Sequence, residues 1–139
     1  MVGHRFCEAL AELDVTDRYH VIVFGEEPRV AYDRVHLSAF FEGRSAEDLQ
    51  LSSPSWYSEQ GFELCTGDAV LSIDRVAREV VSESGRHVRY DALVLATGSA
   101  PFVPPIPGTD KRGVFVYRTI EDLEAMSAWA AQDSVALRQ

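Results

Sequence analysis

The stretch from Tyr90 to Pro101 constrains the fold more than any other part of the chain. Its apolar run, Ala92–Leu95, predicts a strand buried on both faces. Ala96, Thr97 and Gly98 follow that run, and small residues at the end of a strand let the backbone turn sharply towards a ligand. Because ligands bind outside the carboxyl ends of strands in open α/β sheets, this stretch predicts an α/β protein with a binding site at this turn. The alternative is an ordinary core strand followed by a loop.

The beginning of the chain predicts an amphipathic helix that starts next to a glycine. Phe6, Leu10 and Leu13 recur at helical spacing after Gly3, and Ala9 lies on the same side. We therefore expect these apolar side chains to form the buried face of the first helix.

A strand at His20–Phe24 follows this helix and ends at an acidic pair. In the dinucleotide fingerprint G-x-G-x-x-G, a glycine turn opens a helix, and an acidic residue about 20 positions further on binds a ribose hydroxyl. In that interpretation Gly3 is the last of the three glycines, and Glu26 or Glu27 is the acid. The first strand and the first two glycines have no counterpart here. We expect the strands ending at Phe24 and Leu95 to be parallel and to border one ligand cleft.

The remaining pattern predicts a three-layer fold of helices, a central parallel sheet and a small β-meander. The predicted elements are a short helix at Val35–Phe41 with Asp33 near its N-cap, a helix from Ser53-Pro54 to Gly61, strands at Phe62–Thr66, Ala69–Asp74, Glu79–Val81 and His87–Tyr90, and a helix at Glu121–Ala131.

The composition indicates a cytoplasmic globular protein. A net charge of −9 argues against nucleic-acid binding, which uses basic patches. No apolar run approaches the length of a membrane span, and the start lacks the design of a signal peptide. Cys7 and Cys65 form no C-x-x-C pair, so we expect reduced, buried thiols and no redox disulfide. The four histidines lack metal-ligand spacing, and we predict no metal-binding residue.

Two segments resemble the FAD-binding part of two-dinucleotide flavoprotein reductases. Ala96-Thr97-Gly98 is similar to the A-T-G segment that closes over FAD in those proteins, and Tyr32–Ser38 resembles a Y-D-R-x-x-L-S segment of ferredoxin-reductase-like and nitrite-reductase flavoproteins. The resemblance implies that Arg34 contacts the FAD pyrophosphate, for which its fork of donors is suited. The alternative is a surface ion pair with Asp33 or Glu42. Many relatives carry a lysine after L-S where this chain has Ala39, so we expect no role that depends on that lysine.

Two further positions take their expected roles from the same resemblance. Val70 lies where a strand edge offers backbone hydrogen bonds to the adenine, although it would also suit a core. Arg118 belongs to an R-T-x-x-D segment that is close to the flavin in relatives, where an arginine could stabilise negative charge on the reduced ring. Independently of that role, Thr119 and Asp122 predict a capping box at the start of the last helix.

The motifs M-V-G-H-R-F and A-Y-D-R-V-H-L-S together resemble the N-terminal region of NAD(P)H-dependent assimilatory nitrite reductase large subunits. The resemblance covers the chain from Met1 to about Trp129. This resemblance implies a parent oxidoreductase with FAD, a nicotinamide site, an iron–sulfur cluster and siroheme, which reduces nitrite to ammonia. The implied partners are FAD, the remainder of the reductase and its small subunit.

Against this family the chain reads as a fragment. We expect a partial FAD-binding domain at residues 1–122, truncated at its first strand, and a helix at 123–139 leading to an absent NAD(P)-binding domain. The absent strand would lie at the centre of the sheet, so we expect its neighbours to be exposed and FAD to bind weakly or not at all. We predict no catalytic residue and no activity of the chain alone. The alternatives are a lobe of a ferredoxin- or rubredoxin-reductase-type flavoprotein and a non-catalytic nucleotide-binding module.

Overall fold

The computed structural model of the chain describes residues 1–13 and 17–136. It contains three α-helices, five strands and two short 3-10 helices in that part of the chain, which confirms the predicted α/β class. The α-helices are α1 (Val2–Glu12), α2 (Pro54–Glu59) and α3 (Ile120–Ala136), the strands are β1 (Ile22–Gly25), β2 (Glu63–Thr66), β3 (Val70–Asp74), β4 (Glu79–Ser82) and β5 (His87–Arg89), and the 3-10 helices are Leu37–Phe40 and Glu47–Leu49.

The chain divides into two compact units. The first comprises Met1–Tyr32 and Gln50–Thr97, and the second comprises Asp33–Leu49 and Gly98–Gln139. Strands β1 and β2 of the first unit pair in parallel, with Ile22 opposite Glu63 and Gly25 opposite Thr66. Parallel pairing requires a crossover between the two strands, and α2 lies on that connection.

Helix α2 begins where the sequence predicts. The Ser53 hydroxyl accepts a hydrogen bond from the backbone N–H of Trp56, and Pro54 occupies the first helical position, where its missing N–H does no harm. The helix ends at Glu59, two residues before Gly61, whose φ of 70° turns the chain towards β2.

The core of the first unit lies between α1, α2 and the β1–β2 pair. Its buried side chains are Cys7, Val30, Tyr57 and Phe62, against which the partly buried Leu10, Ala11, Val21, Val23, Trp56 and Leu64 pack. The prediction that Phe6, Ala9, Leu10 and Leu13 form the buried face of α1 is therefore largely wrong. His4 and Cys7 are buried, whereas Phe6 and Leu13 are 41% and 70% exposed. The buried stripe follows the contacts with the aromatic residues of α2, and the apolar spacing alone did not reveal that orientation.

The predicted β-meander is present in the first unit. Strands β3, β4 and β5 form an antiparallel sheet in that order, with an irregularity between Val70 and Ser72. Asp68 connects the start of the meander to its second turn, since its carboxylate accepts hydrogen bonds from the backbone N–H and the hydroxyl of Ser84, both at 2.9 Å. The backbone hydrogen bond from Ser84 holds the pKa of Asp68 below its usual value.

The strand predicted at Ala92–Leu95 does not form, and the expectation of parallel strands ending at Phe24 and Leu95 is wrong in this respect. Residues 93–100 lie outside helices and strands, and Leu93, Val94 and Leu95 are 40%, 54% and 67% exposed. An extended segment becomes a strand when a neighbour supplies ladder hydrogen bonds. Neither sheet of the described residues provides that neighbour for this segment.

The second unit contains the two 3-10 helices and α3. The predicted helix at Val35–Phe41 is the shorter 3-10 helix Leu37–Phe40, and the Asp33 carboxylate accepts hydrogen bonds from the backbone N–H groups of Val35 and His36 before it. Ile120 and Leu123, on the first turn of α3, are fully buried.

The capping box at the start of α3 forms as the sequence predicts. The backbone N–H of Thr119 donates to Asp122 Oδ2 at 2.9 Å, and the N–H of Asp122 donates to Thr119 Oγ1 at 3.3 Å. The N–H of Arg118 also donates to Asp122 Oδ2, which fixes the backbone that carries the Arg118 side chain.

Candidate functional site

The end of β1 presents two acidic side chains in different environments. Glu26 is exposed immediately after Gly25, whereas Glu27 is partly buried. The hydroxyl of Tyr32, a residue only 3% exposed, donates a 2.5 Å hydrogen bond to Glu27 Oε2. Glu27 therefore has a structural role in holding the loop after β1, and Glu26 is the acid that faces solvent at the strand end.

A backbone connection links this strand end to the start of the meander. The N–H of Asp68 donates to the carbonyl of Gly25 at 3.0 Å, and the N–H of Gly67 donates to the carbonyl of Glu27 at 2.8 Å. Val70 follows two residues after Asp68 as the first residue of β3, and its side chain is 38% exposed. Because β3 is an edge strand of its sheet, its other edge is open among the described residues. Glu26 and Val70 thus belong to one connected region.

The first turn of α1 lies against Ala96, in the stretch from Tyr90 to Pro101. A methyl group at Gly3 would come within 3.4 Å of the Cβ of Ala96. The helix start at Gly3 and this segment therefore lie in contact. The first N–H groups of a helix have no intrahelical partners, so this approach places donors of α1 near Ala96.

The second unit brings Gly98 and Arg118 together. Gly98 has a φ of 71°, and a methyl group there would lie 3.3 Å from Arg118 Nη2. The Nη1 of Arg118 donates to Ser99 Oγ at 3.1 Å. The backbone conformation at this position favours glycine, and a methyl group there would displace the Arg118 guanidinium by a few tenths of an ångström.

Arg34 and Thr97 complete the set of residues predicted from the sequence. Arg34 is partly buried in the second unit, and Thr97 is exposed in the first. The carboxylate of Asp33, which the sequence offers as an ion-pair partner for Arg34, is bonded to the ring of His36 at 2.6 Å. This hydrogen bond is the main reason that the pKa of Asp33 lies below its usual value.

The structure groups the predicted site residues by unit. The first unit contains Gly3 beside Ala96, and Glu26, Glu27 and Val70 around the end of β1, while the second contains Gly98 beside Arg118. Sequence reasoning missed Tyr32 and Ser99 as partners of this set. Both lie inside the motifs that it used, but nothing in those motifs indicates the hydrogen bonds that the two residues make.

The two cysteines of the chain are free thiols. Burial raises the pKa of both Cys7 and Cys65, so both thiols remain protonated near neutral pH. Within residues 1–13 and 17–136, no three His, Cys, Asp or Glu side chains are placed to hold a metal ion. The helices in the same ranges are too short or too polar to cross a membrane.

Comparison with known proteins identifies the class to which this fold and these motifs belong. A family model described as pyridine nucleotide-disulphide oxidoreductase matches residues 3–137. The chain therefore belongs to the pyridine nucleotide-disulphide oxidoreductase family.

Within this family the chain is similar to nitrite reductase large subunits, as its sequence motifs predict. It is 50% identical over 131 residues to the nitrite reductase [NAD(P)H] large subunit of Klebsiella oxytoca, covering 94% of this chain and 14% of that protein. It is 46% identical over 130 residues to the nitrite reductase (NADH) large subunit of Escherichia coli, covering 94% and 15%. The chain thus spans about one seventh of the length of these relatives.

A solved structure supports the same class. The reductase in the covalent putidaredoxin reductase–putidaredoxin complex matches with a TM-score of 0.70 and 28% identity, over 86% of this chain and 30% of that one.

Proposed function

We propose that the chain is the FAD-binding lobe of an NAD(P)H-dependent nitrite reductase large subunit. The observation that carries this proposal is the contact of Gly3 with Ala96, because it places a helix N-terminus next to the start of the A-T-G segment within the first unit. In the proposed parent, electrons pass from NAD(P)H through FAD towards siroheme, and nitrite is reduced to ammonia.

The end of β1 would bind the adenosine part of FAD. A carboxylate can accept hydrogen bonds from both ribose hydroxyls, and Glu26 is the exposed acid after the strand. Glu27 would support Glu26 indirectly, since its bond with Tyr32 fixes the following loop. The open edge of β3 at Val70 would offer backbone groups to the adenine.

The start of α1 would bind the pyrophosphate. Helix N-termini bind phosphates because their free N–H groups and dipole favour negative charge. Gly3 lies in contact with Ala96 and carries no side chain, so its backbone N–H would stay accessible to a phosphate. The exposed Thr97 would supply a further donor. In the second unit, the guanidinium of Arg34 would have its own role as a phosphate-binding group.

In the second unit, Gly98 and Arg118 would contact the flavin. Gly98 has no side chain and so leaves room for the guanidinium of Arg118. The capping box fixes the backbone of that arginine. Its positive charge would stabilise the reduced ring system. When bound, FAD would supply the ability to take two electrons as hydride and release them one at a time.

The wider assignments follow from the proposed parent. Residues 1–122 would form the FAD-binding part, and residues 123–139 would lead to an NAD(P)-binding domain. The nicotinamide site, the iron–sulfur cluster, siroheme and the small subunit would belong to the complete reductase. A cytoplasmic location is consistent with the two free thiols, Cys7 and Cys65.

A ferredoxin-reductase-type flavoprotein is the second candidate. The likeness to putidaredoxin reductase favours it, but the identity of 28% is well below the 50% shared with the nitrite reductase large subunit. The complete gene would distinguish the two candidates, because cysteine motifs for siroheme and an iron–sulfur cluster are expected only in a nitrite reductase.

Titration with FAD and with ADP tests the binding proposal. The chain is produced as it stands and with a β-strand and a G-x-G turn placed before Met1. We expect the extended protein to bind FAD, and Gly98→Ala to weaken that binding because the new methyl group meets Arg118.

Gly85→Ala is the matched control for this substitution. Gly85 has a similar φ of 81°, but a methyl group there meets nothing within 4 Å. Both substitutions strain the backbone by about 1–2 kcal/mol, so only a specific effect on FAD separates them. Binding of ADP without any preference for FAD would instead support a nucleotide-binding module.

A further inference from the structure

A buried histidine lies in the first turn of α1, directly after Gly3. His4 is 6% exposed, and its ring contacts Trp56 edge-on at 5.2 Å between centroids. Its Nδ1 lies 2.9 Å from the hydroxyl of Tyr57. The ring therefore attaches the N-terminal turn of α1 to α2.

The surroundings of His4 suit a neutral ring. We assign the Tyr57 hydroxyl as the donor to Nδ1, because this tautomer directs the Nε2 proton towards Glu8. Nε2 has no hydrogen-bond partner among the described residues. Nε2 lies 3.7 Å from Glu8 Oε1. The other charges of α1 that act on the ring are those of Arg5 and the Met1 amino group, and the titratable group facing it from α2 is Tyr57.

A second ring proton would disturb this arrangement. It would occupy Nδ1, so the Tyr57 hydroxyl could no longer donate there and would have to turn. It would also place a buried cation near the positive end of the helix dipole. Desolvation outweighs the attraction of Glu8 and lowers the pKa of His4 from 6.5.

We propose that neutral His4 positions the first turn of α1 for the phosphates of a bound dinucleotide, and that its protonation weakens this binding. The proposal rests on the proposed FAD function and adds a positioning residue and a pH dependence to it. Through Tyr57, the ring holds the turn in which Gly3 approaches Ala96. A displaced turn would no longer direct its N–H groups at the phosphates.

Protonation of His4 could also strengthen phosphate binding through its positive charge, and the proposal requires that this attraction be the weaker effect. A protonated His4 would attract phosphate through its charge, but only modestly across a partly solvated site. The Tyr57 hydroxyl can turn and accept from Nδ1–H, so the larger effect is the burial of a positive charge next to the positive end of the helix dipole, which destabilises the first turn. The sign of the pH dependence therefore decides between positioning and simple attraction.

The first experiment follows His4 in the chain without ligand. Titration of the imidazole by NMR gives its pKa directly, and urea unfolding gives the stability at each pH. We expect the free energy of unfolding to fall as the pH drops below about 6.5, because the unfolded chain binds the proton more readily. Glu8→Gln removes the attraction that raises the pKa, so the NMR midpoint should move to lower pH.

Two variants separate titration from mere packing. Tyr57→Phe keeps the aromatic ring but removes the hydroxyl, so we expect faster hydrogen exchange of the Arg5 amide, which donates to the carbonyl of Met1, even at neutral pH. His87→Gln is the matched control, because His87 is an exposed histidine of the meander that pairs with Glu79. It should change neither the midpoint nor the exchange.

The second experiment measures FAD binding between pH 5.5 and 8 by NMR titration of the extended protein, which carries a β-strand and a G-x-G turn before Met1. We expect FAD to lower the pKa of His4, and its affinity to fall towards acid pH by at most about tenfold per pH unit, the limit for one proton. Glu8→Gln should shift this profile as it shifts the midpoint. A rising affinity at acid pH, or a flat profile while His4 titrates, overturns the positioning role. Absence of any FAD binding together with the stability profile would instead refute the proposed function.

Discussion

Two apolar runs of this chain, Val21–Phe24 and Ala92–Leu95, have similar sequences and different structures. The first contains most of β1, pairs with β2 and packs on the core of the first unit. The second is exposed and forms no strand. Both are followed by glycine-containing turns. The difference shows that an apolar run indicates a capacity for burial, whereas a ladder partner decides whether a strand forms.

The largest expected effect comes from supplying a partner for the second run. With a β-strand and a G-x-G turn before Met1, we expect residues 92–95 to gain strand protection and FAD to bind at least about 100-fold more tightly. Each charge-assisted hydrogen bond to phosphate contributes roughly 1.5–3 kcal/mol, so two such bonds suffice. Hydrogen exchange and flavin titration measure both changes.

The unmodified 139-residue chain is the control for this comparison. Stoichiometric yellow flavin on that chain after purification would contradict the prediction. Ala96, Thr97, Gly98, Arg34 and Arg118 would then account for most of the cofactor binding.

Local features were predictable from the sequence, and features that depend on a distant partner were not. The N-cap at Ser53 and the capping box of Thr119 and Asp122 are each specified within four residues, and both form. The buried face of α1 depends on α2, more than 40 positions away. Here a polar residue, His4, is buried because Tyr57 meets it.

The candidate site shows the same division. The turn after β1, its acidic pair and the special conformation of Gly98 could be anticipated from the residues themselves. The distinction between Glu26 and Glu27 could not, because it depends on a hydrogen bond from Tyr32. The proximity of Gly3 and Ala96 likewise depends on the fold.

The second prediction concerns the turn after the first run. Glu26→Gln should weaken FAD binding by about tenfold or more, since it removes the charge from the proposed acceptor of the ribose hydroxyls. The stability should hardly change, because Glu26 is exposed. Flavin titration and urea unfolding of the extended protein measure the two quantities.

Tyr32→Phe provides the contrasting variant. It removes the hydroxyl that donates to Glu27, so we expect the free energy of unfolding to fall by about 1 kcal/mol. If Glu26→Gln lost stability and left FAD binding intact, the roles of the two acids would be reversed.

The third prediction compares the two runs with the same substitution. Val23→Ala removes two methyl groups that pack against the core and should destabilise the chain by about 1–2 kcal/mol. Val94→Ala should change the stability by less than about 0.5 kcal/mol, because that side chain is 54% exposed. Equal effects in urea unfolding would show that the second run is already packed in solution. In the extended protein, we expect the effect of Val94→Ala to rise towards that of Val23→Ala.

The smallest expected effect tests whether a local motif behaves independently of both runs. Thr119→Ala removes the hydroxyl that accepts from the N–H of Asp122, and it should destabilise α3 by about 1 kcal/mol. Ser45→Ala removes the hydroxyl of a similar reciprocal pair with Asp48, which caps a single 3-10 turn, so we expect a smaller loss. Because both caps are satisfied within four residues, the two losses should be the same with and without the added strand. A loss at Thr119 that doubled in the extended protein would show instead that the cap and the second run are coupled through Arg118.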